Sequence, residues 1–168
     1  MKALIWVLSC IVIIFAMFYT LNTYIDTEKQ GEVSQFRDGK YLGFIHALTD
    51  NGTRMDFDDA TWLTGVAGQD AAIRAGICTE ETRDECLPND YFIENTVVED
   101  AGLSIDPSIR VFMQTYQMEE TGQVATREIN LNDLATLIND PKAHWSTLPY
   151  TITVANNAVV RIEEVYVP

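Results

Sequence analysis

Between Lys2 and Asp26 the chain carries no charged residue, and from Ala3 to Leu21 (ALIWVLSCIVIIFAMFYTL) it is apolar apart from Ser9, Cys10 and Thr20. No other feature restricts the fold as strongly. Nineteen helical residues rise about 28 Å, close to the hydrocarbon thickness of a bilayer. A helix packed on a globular core would carry a polar stripe, and this run has none. The expectation is an N-terminal transmembrane helix within an anchor, residues 1–25. A cleaved signal peptide, the first alternative, would have a shorter apolar core and a small-x-small site. Here the run continues into Phe15, Met17, Phe18 and Tyr19. A lipoprotein, the second, would use Cys10, but six residues before Val7 are too few for a charged region plus an apolar core. Tyr19 and Tyr24 lie where an interfacial aromatic belt would be. Lys2 precedes the span, while Asp26 and Glu28 follow it against Lys29 alone. The positive-inside tendency then leaves the N-terminus cytoplasmic and the rest extracytoplasmic, in a single-pass protein of the cell membrane.

All 25 acids and all but one of the 11 basic residues lie beyond the apolar run, in a chain of net charge −14. Nucleic acid as a partner is excluded on that balance, because its binding depends on neutralising phosphates with Lys and Arg. An acidic solvated surface resists association and keeps a domain soluble.

Residues 26–39 are polar and lack periodicity, and read as a stalk. Residues 40–168, about 130 in all, suit one exported domain with a modest core. KYLGFIHAL (residues 40–48) is strand-like; Asn51-Gly52 then gives a tight turn into a return strand over 54–57. Residues 69–75 are alanine-rich and predict a helix closed by Gly76. Short strands are predicted over 90–95, 109–118 and 124–129. A second helix is predicted with Asn132 as its cap and Pro141 as its stop. Residues 150–154 and 159–167 flank Asn156-Asn157 as a closing hairpin. Strands outnumber helices, and no helix recurs at the spacing of a parallel βαβ sheet. The predicted class is α+β and β-dominated: after the transmembrane helix, a small antiparallel sheet or barrel with two short helices.

Cys78 and Cys86 bracket TEETRDE, which holds four acids and one arginine and cannot bury itself. Outside the cytoplasm a disulfide between them would persist and would close a loop of about nine residues. Free thiols and zinc are the alternatives. Zinc needs four ligands at close spacing, and only the distant His46 and His144 could complete a set. Glu80, Glu81, Asp84, Glu85 and Asp90 form one acidic group and Asp56, Asp58 and Asp59 another. Neither carries the alternating series of a calcium loop, and solvated surface is the expectation for both. No metal site and no cofactor are expected. The sequence has no GxSxG elbow, SxxK or HExxH motif, so no catalytic residue is assigned. His46 lies within a strand pattern, where packing or hydrogen bonding is its ordinary role.

WLTG (residues 62–65), the alanine-rich helix ending in glycine, CTEETRDECLPNDYFIEN (residues 78–95) and the terminal VVRIEEVYVP together resemble a family of small, uncharacterised, membrane-anchored exported bacterial proteins. The resemblance implies no activity and transfers no catalytic role. In the family pattern an Asn-Pro and an Arg-Thr pair follow the aromatic strand. Here TVVEDAGLSIDPSIR (residues 96–110) stands instead, so a ligand site shared at that position is not expected.

Anchor, stalk and acidic domain together point to a non-catalytic binding or structural module that meets a protein or glycan at the envelope. A carboxylate-dependent envelope hydrolase is the alternative. The aromatic residues of the connections, Trp62, Tyr91, Phe92 and Trp145, are the candidate partner contacts, since aromatics dominate binding hot spots. Burial in the core is the competing role for Trp62 and Phe92.

Overall fold

The computed structural model describes residues 36–96 and 100–167, except the side chains of Asp100 and Glu119. The expected anchor, and the stalk before Phe36, lie outside the described residues. Among the described residues no helix is long and apolar enough to cross a membrane. Residues from Phe36 onward form one compact unit. Phe36, expected in the stalk, is buried and meets Tyr41 and Phe57 edge-on.

Seven strands run in chain order: β1 (Gly39–Thr49), β2 (Arg54–Thr64), β3 (Tyr91–Glu94), β4 (Asp100–Met113), β5 (Arg127–Ile129), β6 (Pro149–Ala155) and β7 (Ala158–Glu164). Helices α1 (Gly65–Arg74), α2 (Met118–Thr121) and α3 (Leu131–Ile138) lie between them. The pairings close on themselves. β1 joins β2, β2 joins β4, β4 joins β7, β7 joins β6, and β6 returns to β1. This ring leaves no edge within the barrel itself. β3 hangs from the far half of β2, and β5 from the end of β4. The expected all-antiparallel sheet is corrected at one pairing, because β4 and β7 run parallel. Ring order β1-β2-β4-β7-β6, with a helix between β4 and β6, is the five-stranded Greek-key barrel of the OB type.

Every strand of the ring serves two neighbours. β1 pairs with β6 over residues 39–44 and with β2 over residues 42–49, so the two pairings overlap at residues 42–44. Gly43 sits in that overlap. A Cβ there would strike the carbonyl oxygen of Asp58 and lie 2.7 Å from the Phe57 ring, a close approach that only glycine permits. An irregularity follows at His46, where the register between β1 and β2 slips by one residue.

Period-2 alternation fills the interior. Ile45, Met55, Phe57, Leu103, Val111, Met113, Tyr150, Ile152, Val159 and Ile162 are all buried. α3 closes one end of the barrel with Leu134 and Ile138, one helical turn apart and both buried. Its cap is Asn130, whose side chain accepts from the Asp133 N–H at 2.8 Å; the expected cap, Asn132, is already helical. At the other end Asn139 donates to the Leu48 carbonyl and accepts its N–H, at 2.9 and 3.1 Å, tying the helix to β1.

Candidate functional site

β2 is longer than the barrel needs. Beyond Ala60 it leaves the ring and pairs through residues 61–64 with β3, making a two-stranded arm. Residues opposite one another on an antiparallel pair share a face. Leu63 and Phe92 therefore share one face, Trp62 and Ile93 the other. α1 covers the first: Gly68 packs on the Leu63 backbone and Leu87, and Arg74 donates to Glu94 at 2.9 Å. On the second face Trp62 stacks on Tyr91, ring centroids 4.3 Å apart, the diagonal contact expected of an aromatic cross-strand pair.

Cys78 and Cys86 stand as a disulfide-capable pair, their Cα atoms 5.8 Å apart. Cys78 is buried just beyond α1, and Gly76 reverses the chain there at φ +73°. The enclosed segment is a short 3-10 helix (Glu80–Glu85) opened by a Thr79–Thr82 capping box. Arg83 bonds both to Glu80 and to Asp70 of α1. Arg83 thus ties the acidic loop to the helix that supports the arm, and a bridge between the cysteines would close it.

Where the arm leaves the barrel, an open groove of ≈ 480 Å³ is lined by Phe44, Tyr91, Phe92, Ile93, Thr147, Leu148, Pro149 and Val167. No charged side chain lines it, in a chain of net charge −14. Of the four expected contact residues Trp62 and Tyr91 share one face of the arm, Phe92 lies on the other, and Tyr91 and Phe92 line the groove. Trp145 stands apart, stacked on His144 at 4.9 Å, in the wall of a second pocket of ≈ 340 Å³ with Thr115, Tyr116, Gln117, Met118 and Glu120. All four aromatics are half-buried. Sequence reasoning missed Phe44, Leu148 and Pro149, because no local pattern marks a strand or pre-strand residue as a groove wall.

Two acids are buried, Asp58 against the expectation of solvated surface and Glu164, for which no role was expected. Asp58 is 1 % exposed. It accepts from the Asn95 amide at 2.5 Å and lies 4.0 Å from His46 Nε2. Its charge, after burial, helps to raise the carboxyl of neighbouring Asp59 above the usual range, against a lowering bond from the Ala60 backbone. Glu164 is 2 % exposed. It accepts the N–H groups of Gln114 and Thr115 at 2.7 and 3.0 Å, and the Thr115 hydroxyl. Burial first, and the Glu164 charge second, push the Tyr150 hydroxyl well above the ordinary tyrosine range. That hydroxyl donates to the Trp145 carbonyl at 2.9 Å. Alternation from Ile162 was the available signal for Glu164, since i and i+2 share a face.

On the outer barrel wall the guanidinium groups of Arg110 and Arg161 lie 4.8 and 3.9 Å from the Phe112 ring centroid. Each also holds an acid below its usual range by a hydrogen bond, Arg110 with Glu128 and Arg161 with Glu163. Among the described residues no group of three His, Cys, Asp or Glu side chains could hold a metal ion.

Barrel and arm thus define a β-barrel domain with an apolar groove at the root of an aromatic arm. No family model matches the chain, and neither curated proteins nor solved structures give a significant match.

Proposed function

We propose that the domain from Phe36 onward is a non-catalytic binding module, carried at the envelope on the segment 1–25, that takes an uncharged or cationic partner in the groove beneath its arm. One observation carries the reading. An open, uncharged, aromatic-walled groove persists on a chain whose other surface is dense in acids, and concave apolar sites of this size are the usual form of ligand sites. OB-type barrels bind oligosaccharides and oligonucleotides elsewhere, which is analogy only. The charge disfavours the nucleic acid. Protein and glycan partners at the envelope remain.

The test offers envelope glycans, peptidoglycan fragments and extended peptides to the full-length protein, alongside Tyr91→Ala and Phe92→Ala variants. Binding by the parent that drops at least tenfold in either variant supports the reading. Binding unchanged in both overturns it.

One observation favours the alternative of a carboxylate-dependent hydrolase. Asp58 lies 4.0 Å from His46, whose side chain is 35 % exposed, and a buried acid beside an accessible histidine can orient a general base. Turnover of an ester, peptide or glycosidic substrate that vanishes in His46→Ala would establish it against the binding module.

A further inference from the structure

The groove runs along an open strand edge, and that limits what can fill it. Successive residues of a strand point to opposite faces. Tyr91, Phe92 and Ile93 nevertheless all line the same groove. Three consecutive residues can do so only if the groove follows the strand's side rather than one of its faces. That side is open: among the described residues β2 is the one strand paired with β3, which ends the sheet order. The rest of the lining is the Thr147–Leu148–Pro149 stretch leading into β6, Phe44 of β1, which pairs with Pro149, and Val167. An open edge offers a row of backbone N–H and C=O groups that a further strand satisfies.

Resting on the binding-module reading, we infer that the occupant is an extended polypeptide segment, with small apolar side chains and a basic residue at its flank, added as a strand to β3. Four residues of β3 set the length of the pairing at about four residues of partner, roughly 13 Å. Tyr91, Phe92 and Leu148 supply apolar walls for its side chains. The basic flank follows from charge. Exposed Asp90 opens the strand, the groove itself is uncharged, and the net charge of −14 attracts cations over a longer range.

The experiment uses full-length protein in detergent micelles with capped peptides KVTVTVK and EVTVTVE, and with KVTVTVK N-methylated at every central amide. Affinity is read by titration calorimetry and location by hydrogen exchange. The lysine-flanked peptide should bind and slow exchange within residues 90–95. The glutamate-flanked one should bind at least tenfold more weakly, and the methylated one not at all. Asp90→Asn keeps a residue type that tolerates the left-handed backbone at φ 56°, and should cut the lysine preference at least threefold.

Equal binding of the methylated peptide, or protection elsewhere, overturns strand addition while a groove-binding module stands. The same holds if only a soluble glycan fragment binds, and does so in the groove. Concentration-dependent self-association that protects β3 without peptide would make a second copy the occupant and overturn the inference. Failure of every peptide and glycan to bind overturns it together with the reading beneath it.

Discussion

Replacing Glu164 tests whether a buried acid locks the end of the barrel. Its carboxyl group receives two backbone N–H donors and one hydroxyl from the turn after β4, and its carbonyl takes the Gln114 amide at 2.9 Å. Glu164→Gln keeps the shape. The amide oxygen can still take both N–H groups, and the Thr115 hydroxyl can rotate to accept instead of donate. What is lost is the charge-assisted part of three bonds, offset by a smaller desolvation cost, so about 1 kcal/mol of stability should go. Glu164→Leu keeps the volume but strands two part-buried N–H groups. At about 1–3 kcal/mol each, less the gain from burying an apolar side chain, the expected loss is about 3 kcal/mol. Thr115→Val removes the hydroxyl alone and should cost about 1 kcal/mol. Combined with Glu164→Leu it should cost almost nothing further, because its partner is already gone. Urea unfolding followed by far-UV circular dichroism gives each value. Exchange rates of the Gln114 and Thr115 amides should rise in Glu164→Leu before global unfolding. A loss below about 1 kcal/mol for Glu164→Leu, or additive costs in the double variant, would refute the lock.

Gly43→Ala should destabilise by about 3 kcal/mol or abolish folding in urea titration, since the added methyl meets the Asp58 backbone rather than a movable side chain. Cys78→Ser with Cys86→Ser should lower stability by about 2.5 kcal/mol with the circular dichroism spectrum kept, and thiol labelling of denatured, unreduced parent should modify neither cysteine. Asp59 has its folded pKa raised, mainly by burial, so its contribution is most favourable at low pH and is lost as pH rises through the carboxylate range. Asp59 is nonetheless exposed, so solvent screens the effect; Asp59→Asn should therefore stabilise the protein only slightly at pH 7, and the gain should vanish in acid. A gain that grows on acidification would contradict the sign.

Local chemistry determined a good part of this protein within the sequence itself. Asn51-Gly52 and Asn156-Asn157 mark reversals that need positive φ, and Asn51, Gly52, Asn156 and Asn157 all adopt it. Gly76 ends α1 in the same left-handed conformation, and the short loop between Cys78 and Cys86 brings the two cysteines to disulfide-capable geometry. Each of these depends on a few neighbouring residues and their intrinsic preferences. What failed were readings in which long-range contacts outvote local pattern. DAGLSIDPS looks like a loop, yet it is the first part of β4: Pro107 falls where the register with β7 is already broken, so its missing N–H costs no ladder bond. DDATWLT looks like the end of a strand, yet β2 continues through it because β3 comes from thirty residues away to pair with it. Asp58 looks solvated, yet it is buried beside Asn95, just after β3, and His46 within β1. The parallel β4–β7 pairing, the closure of the ring and the groove at the arm's root likewise join residues distant in sequence. No propensity encodes them, because each exists only once several strands have met.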